Sequence, residues 1–468
     1  MKAITNDTLK WYETHLNDYF YDTVYNTDKL MIELSEDKWF KINPTRGIRN
    51  GISSYDLTGN KSELASLLRE CYGEIEYDEM IIDKKQFRFT RRTVASGGAL
   101  YPNLLYLIEK NEGKLNVYQY NPALNLLHFI NCVDEDISTL FKENECYIFV
   151  TIYYWRNWLK YRYFGYRLMG VDTGYLMANI YEKLANRDIP AEIMISNELF
   201  SDLKKVIDID SYREGICFAV KTNKFNIAKV CEEQFKKSIY NIQEDWDTVD
   251  IPIYKIIEDN SLNEKYNYIE KVSSLNKERI LKSESVVLNR ISPGGAVVQT
   301  VKPIDKNCLT DTLKILKILV SDCKTLADSI VIYIYINIVN GYKRGVYEFD
   351  PLGSEGIKLS NNEDLQLQSI MKKHNFSIDN IPALFFVGCK NVDFDSISCN
   401  DFKFLQNRVG FVSHMLTVAA AFNNCYTHPI LGYDSLLAEK LLNEKNLLNL
   451  VVFSETKPLD RQRIIFDY

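Results

Sequence analysis

Residues Arg91 to Pro102 read Arg-Arg-Thr-Val-Ala-Ser-Gly-Gly-Ala-Leu-Tyr-Pro, gathering two guanidiniums, a hydroxyl and a glycine pair into one short stretch. Glycines lack a Cβ, so backbone amides can approach a flat or anionic ligand closely. Arginines beside them can neutralise a phosphate through paired hydrogen bonds. The same residues also suit a tight turn flanked by solvated charges, and taken alone they leave both readings open. The apolar run Leu104 to Ile108 follows directly and reads as a strand, so the glycines stand where a turn must deliver the chain into a sheet.

Other chemistries find little support. The five histidines are dispersed, with His414 in an apolar helical stretch and His428 beside Pro429, and no metal site is expected. The ten cysteines include no Cys-x-x-Cys pair and read as small core residues in a reducing compartment. Neither a dinucleotide fingerprint nor a phosphate-binding loop of the nucleotide-hydrolase type occurs, so direct use of NAD(P)H has no sequence support. A net charge of -7 without a basic stripe argues against nucleic acid as partner. No apolar run reaches the ~18–20 residues that a spanning helix needs. Ile330 to Val339 alternates β-branched and aromatic residues and reads as a buried strand. The first residues lack the apolar core of a secretory signal, which points to the cytoplasm.

The 468 residues contain a duplication. Val117-Tyr118-Gln119-Tyr120-Asn121-Pro122 recurs as Val346-Tyr347-Glu348-Phe349-Asp350-Pro351, from 117 to 346, an offset of 229. Cys146 to Val150 recurs as Ala383 to Val387, from 149 to 386, an offset of 237. Gly174-Tyr175-Leu176 recurs as Gly410-Phe411-Val412, from 174 to 410, an offset of 236. Gly97-Gly98-Ala99 has an echo at Gly294-Gly295-Ala296, and an insertion around Lys306 to Ser329 accounts for the change of offset after it. Each copy reads as a glycine turn, strands interrupted at Pro122 or Pro351, and a long helix, about Val171 to Leu184 in one and Phe404 to Phe422 in the other. The predicted class is α+β. The expected division is an N-terminal, partly helical extension (1–60), copy one (61–225), a charged, helix-prone linker (226–280) and copy two (281–468). Duplicated domains of this size pair about a pseudo-twofold axis within one chain, and a homodimer of chains stays open.

With these blocks placed, copy one resembles the SagB-type dehydrogenases, the McbC-like branch of the nitroreductase-like flavoproteins. The resemblance rests on Ala95-Ser96-Gly97-Gly98-Ala99-Leu100-Tyr101-Pro102 after an Arg-rich lead, on Tyr118-Gln119-Tyr120-Asn121-Pro122, and on Lys160-Tyr161 ahead of Tyr166-Arg167. Gly174 early in a helix and the helical stretch Ser62 to Arg69 complete it, over roughly residues 60 to 190. It implies a nitroreductase-like fold, a central mixed sheet with flanking helices, present twice as an intramolecular pseudo-dimer. It further implies non-covalent FMN, oxidation of azoline rings to thiazole or oxazole in a ribosomally made precursor peptide, and a cyclodehydratase complex as partner.

By the same resemblance Lys160 and Tyr161 are the catalytic pair. A lysine acts as a base only when burial or neighbouring cations lower its pKa, and Arg156, Arg162 and Arg167 are near enough in sequence to supply such a field. Arg91, Arg92, Ser96, Gly97 and Gly98 are the first candidates for FMN, with Arg167 and the pair Arg46 and Arg49 as further contacts. Lys457, Arg461 and Arg463, and Arg290, are additional basic candidates. In copy two Lys160-Tyr161 maps onto Ser396-Ile397, neither of which can act as a base, while Arg167 maps onto Lys403. Copy two is therefore expected to keep the fold and half of the pocket without the chemistry. Two other functions fit the same residues: a nitroreductase-like oxidoreductase using NAD(P)H on another substrate, and a non-catalytic scaffold holding a precursor peptide.

Overall fold

The computed structural model describes residues 47–49, 51–58, 62–82, 85–134, 141–143, 145–161, 164–223, 225–227, 231, 236–237, 267–272, 303–361, 365, 367–371, 378–393, 397–444, 446–454 and 463–465. Copy one begins with strand β1 (Ser53–Asp56) and helix α1 (Glu63–Tyr72). Ser62 caps that helix by accepting from Ala65 N at 3.2 Å, with Glu63 favourably placed in the first turn. A hairpin, β2 (Glu74–Ile82) and β3 (Lys85–Arg92), leads to the glycine turn. Strands β4 (Asn103–Asn111), β5 (Lys114–Asn121), β6 (Leu126–Asp134) and β7 (Cys146–Tyr153) follow. Then come α2 (Trp155–Tyr161), α3 (Phe164–Asn186), β8 (Ala191–Ser196), α4 (Asn197–Ile207) and β9 (Glu214–Thr222).

Two short strands, β10 (Lys236–Lys237) and β11 (Asn267–Val272), come from the span expected as a linker. Together with β1 they extend copy one's sheet, whose order is β10-β1-β6-β5-β4-β7-β9-β8-β11. The described parts of the predicted extension and linker thus include strands added to the edges of this sheet. The helical stretch expected at Trp11 to Tyr25 lies outside the described residues.

Copy two contains α5 (Lys306–Val320), α6 (Lys324–Ala327), β12 (Ile330–Ile336), β13 (Gly345–Phe349), β14 (Lys358–Asn361), β15 (Ala383–Cys389), α7 (Cys399–Phe422), β16 (Tyr426–Ile430), α8 (Ser435–Leu442) and β17 (Leu447–Ser454). Its sheet runs β14-β13-β12-β15-β17-β16, which repeats the order β6-β5-β4-β7-β9-β8 strand for strand. The segment expected as an insertion folds as α5 and α6, both packed on α7. The last described strand, β18 (Arg463–Ile465), leaves copy two and pairs with β2 of copy one, Arg463 opposite Asp78.

The duplication extends to irregularities. Copy one's β5–β6 ladder slips between Val117 and Tyr118, and copy two's β13–β14 ladder slips between Val346 and Tyr347, the offset of 229 seen in sequence. The β7–β9 ladder slips between Val150 and Thr151, and β15–β17 between Val387 and Gly388, an offset of 237. Bulges re-aim strands, so their retention at matched positions marks common descent of the backbone. Among the described residues the ladders of both sheets are antiparallel. Antiparallel neighbours need only short connections, so the sheet does not require a helix after each strand.

The long helices are longer than predicted. Helix α3 begins at Phe164, so Tyr166 and Arg167 lie inside it, and its residues from Phe164 to Ala185 are all buried. A helix buried all round belongs in the middle of a molecule. Its partner is α7, and the two cross where Gly174 meets Gly410. A Cβ on Gly174 would strike Asn407 O, and one on Gly410 would strike Val171 O. Asn407 is the counterpart of Val171, offset 236, so the contact is reciprocal, as a twofold axis requires. One continuous apolar core spans both copies, and a smaller one covers the outer face of copy two's sheet. Cys308 is bonded to Cys425, joining the start of α5 to the segment after α7, so these two are not the reduced core residues expected of all ten.

Candidate functional site

The glycine turn is built by hydrogen bonds that consume its own donors. Ala99 N donates to Ser96 O at 3.0 Å, and Tyr101 N donates to Ser96 Oγ at 3.0 Å. Ser96 Oγ donates in turn to Asp172 Oδ2 at 2.6 Å, and Gly97 N donates to both Asp172 oxygens at 3.1 Å. Gly98 has φ +64°, and the non-glycine residues Ala99 and Tyr101 also have positive φ, at 54° and 50°. Left-handed backbone costs a residue with a Cβ about 1–2 kcal/mol, so this turn is held by its surroundings rather than by local preference.

Tyr101 is fixed from three sides. Its hydroxyl accepts from Arg92 N at 3.0 Å, its carbonyl accepts from Arg156 Nη1 at 2.7 Å, and the Arg92 guanidinium lies 4.7 Å from its ring centre. Against this frame Gly98 is the exposed residue of the turn, and none of the bonds above uses its amide. A Cβ on Gly98 would meet Tyr161 Oη and, at 2.6 Å, Lys160 Nζ. Residues far apart in sequence, from the glycine turn and from α2, therefore converge on one point. Lys160 Nζ also stands 5.1 Å from the Tyr161 ring centre, and Phe164 packs edge-on to that ring at 6.0 Å.

Burial raises the Tyr161 phenol well above its ordinary range, and the negative Asp172 adds to the rise. Asp172 itself is pushed up to about 7 by burial, although the Ser96 and Gly97 bonds pull the other way. Sequence reasoning missed Asp172; the available signal is a lone carboxylate inside Leu168-Met169-Gly170-Val171-Asp172-Thr173-Gly174, where the neighbours are apolar or small.

Several cations predicted to hold a cofactor are engaged elsewhere. Arg167 is fully buried and reaches into copy two, donating to Leu448 O at 3.1 Å and Leu447 O at 3.4 Å. Lys403, its counterpart, donates to Ile216 O at 3.1 Å, and the matched bulges make Ile216 the counterpart of Leu447. The pair are reciprocal struts between the copies, so Arg167, expected as a cofactor contact, is held by carbonyls of the opposite copy. Arg49 donates to Ile207 O and to Asp208 O (3.1 Å for the latter) and stands 3.6 Å from buried Glu214. It ties α4 to the sheet rather than facing the glycine turn. Arg92 lies buried between the Tyr72 and Tyr101 rings, 4.5 and 4.7 Å from their centres, with Glu74 at 3.9 Å. It supports the turn from behind. Ser96 and Gly97 are likewise turned inward to Asp172.

Arg91 keeps a half-buried position at the junction of the copies, near His428 on β16. Burial, with Arg91 adding repulsion, lowers that histidine to about 4. Arg463 lies on β18, which completes the sheet carrying Arg91. Arg156 is spent on Tyr101, so of the three cations expected around Lys160 it is turned away, as is Arg167. Arg46, Arg162, Arg290, Gly294 to Ala296, Ser396, Lys457 and Arg461 lie outside the described residues. Ile397 stands two residues before α7, next to its N-cap Ser398. Among the described residues no cluster of metal ligands occurs and no helix is long and apolar enough to cross a membrane.

The chain matches no protein-family model and no curated protein by sequence. Solved structures are similar to it in fold. A protein from Anabaena variabilis, provisionally named a nitroreductase, superposes with TM-score 0.69 at 16% identity, over 94% of this chain and 99% of that one. The E. coli microcin synthetase McbBCD complex with truncated pro-MccB17 matches 48% of this chain and 99% of its own, at 16% identity and TM-score 0.29. A second provisionally named nitroreductase, from Ralstonia eutropha, matches 40% of this chain and 85% of its own, at 13% identity and TM-score 0.25. The match to the Anabaena protein spans both copies, and with the repeated strand order it shows that this chain has the nitroreductase-like fold, present twice in tandem.

Proposed function

We propose that the protein is an FMN-dependent oxidoreductase that dehydrogenates azoline rings to thiazole or oxazole in a ribosomally made precursor peptide. The observation that carries this reading is the convergence of Gly98 with Lys160 Nζ and Tyr161 Oη. Gly98 is exposed and has no Cβ, which is what a flat ring resting on the turn requires. FMN, when bound there, would supply the two-electron acceptor that the side chains cannot. Arg91, half-buried at the junction of the copies near His428, is the cation we assign to its phosphate side.

The protein's own part is placement and proton transfer. Tyr161, with its phenol raised by burial, keeps its proton at neutral pH and serves as a hydrogen-bond donor to the substrate ring. Lys160, whose Nζ converges on the same point, is the group we assign to take the ring proton. Copy two closes the core behind the turn through α7 and β18 and leaves the proton transfer to copy one. The work is cytoplasmic in this reading, with a cyclodehydratase complex delivering the azoline-bearing peptide.

The test starts with colour. Purified protein should be yellow or should turn yellow on adding FMN, and Lys160→Ala and Tyr161→Phe should abolish azole formation while flavin absorbance stays. A colourless protein that does not take up FMN would overturn the reading. Rapid reduction of bound FMN by NAD(P)H would instead favour a nitroreductase-like activity on another substrate.

A further inference from the structure

A carboxylate in a protein core is costly unless donors surround it. Asp172 sits on α3, a helix buried along its length, and is 7% exposed. Among the described residues no cation holds its charge; the donors there are Ser96 Oγ and Gly97 N. Both belong to the turn that brings Gly98 beneath Lys160 and Tyr161. Ser96 Oγ passes the restraint on by accepting from Tyr101 N, so one carboxylate fixes the turn at Ser96, Gly97 and, through Ser96, Tyr101.

We propose that Asp172 is the positioning residue of the cofactor turn, whose carboxylate holds Ser96 and Gly97 so that Gly98 faces the ligand with the required left-handed backbone. The proposal deepens the FMN reading and rests on it for the ligand, but not for the restraint on the turn. It also ties the turn to pH. The groups facing Asp172 are Ser96 and Gly97 from the turn, Tyr161 from α2, and Tyr72 from α1 with Arg92 and Arg156 beside that phenol. From copy two, α7 presents Gln406 at Gly170, Asn407 at Gly174, and His414, which packs on Tyr175. Ionised Asp172 makes charge-assisted bonds to the turn, and the neutral acid makes weaker ones. The carboxyl is raised to about 7, so the turn tightens as pH rises through that region.

The experiment compares the parent with Asp172→Asn and Ser96→Ala as full chains. In FMN-free protein, amide hydrogen exchange over residues 97–101 should speed up by about tenfold or more in Asp172→Asn, the worth of one charge-assisted hydrogen bond. Exchange elsewhere along α3 should stay unchanged. FMN affinity, read by quenching of flavin fluorescence, should fall by a similar factor of about ten. In the parent that affinity should rise with pH through about 7, and in the variant this rise should be missing. The FMN phosphate titrates alike in both, so the difference between the two proteins is the readout. Should Asp172→Asn fail to fold, Ser96→Ala removes one donor at the exposed end and should speed exchange at Gly97 and Tyr101. Unchanged exchange in the folded variant, or parent-like FMN affinity at every pH, overturns the proposal. If the parent binds no FMN, the functional reading fails, and the exchange data still decide whether Asp172 holds the turn.

Discussion

A guanidinium inside a protein is drawn to carbonyls, carboxylates and aromatic faces, and in this chain several arginines expected at the cofactor make such contacts within the fold. Arg167 finds carbonyls of the opposite copy, Arg49 finds carbonyls beyond α4 with Glu214, and Arg92 finds two tyrosine faces. Burial governs the histidines in the same way. His128 is 2% exposed, with Asn121 Nδ2 donating to Nε2 at 3.2 Å and Ser54 Oγ bonded at Nδ1 at 2.7 Å, and it is lowered from 6.5 to about 4. The folded protein therefore holds this ring neutral while the unfolded chain takes up a proton below pH 6.5. The stability tied to this neutral ring is complete above that pH and is lost as pH falls towards 4, by about 2 kcal/mol at pH 5. His128→Gln should reduce the loss of stability between pH 7 and pH 5 relative to the parent, read by urea denaturation; equal slopes in both proteins would rule this account out.

Among the elements, α3 and α7 decide how the copies meet. Close approach of two helix backbones needs small residues at the crossing, and here glycine faces glycine. Gly174→Ala puts a methyl into Asn407 O, a backbone atom that cannot swing aside. We expect Gly174→Ala to lower stability by about 2 kcal/mol or more, in the range of overpacked cores. A Cβ at Gly356 meets nothing within 4 Å, so Gly356→Ala should leave the melting temperature within a degree or so. Thermal melts of the two variants side by side check this, and a neutral Gly174→Ala would mean the helices can separate without cost. The matched bulges in β5 and β13, and in β7 and β15, show the same economy, since each copy reuses one backbone solution.

For the whole molecule, the apolar core runs without a break from copy one into copy two, and β18 returns to pair with copy one's hairpin. Neither half then has a complete surface of its own, because each would expose one of the two buried long helices. Residues 1–280 and 281–468 expressed separately should aggregate or stay molten, and co-expression should restore a soluble complex, as size-exclusion chromatography and near-UV circular dichroism would show. A folded, monomeric isolated copy one would contradict a shared core. Copy two contributes to this shared packing through the strut from Lys403 to Ile216 O.

Read alone, the sequence determined the duplication, with offsets that the bulges and the helix crossing reproduce, because repeated patterns of apolar residues and turns are local properties of the chain. It also pointed to the glycine turn and to Lys160-Tyr161, which the structure brings together at Gly98. Which cations are drawn into internal contacts was decided only by the tertiary structure. A guanidinium is assigned by whatever donor-hungry carbonyl or aromatic face the fold brings to it, and those of Arg49 and Arg167 lie more than a hundred residues away. Asp172 is the converse case: an unremarked carboxylate in an apolar helix gains a role because the turn's hydroxyl and amide, 76 and 75 residues distant, are folded against it.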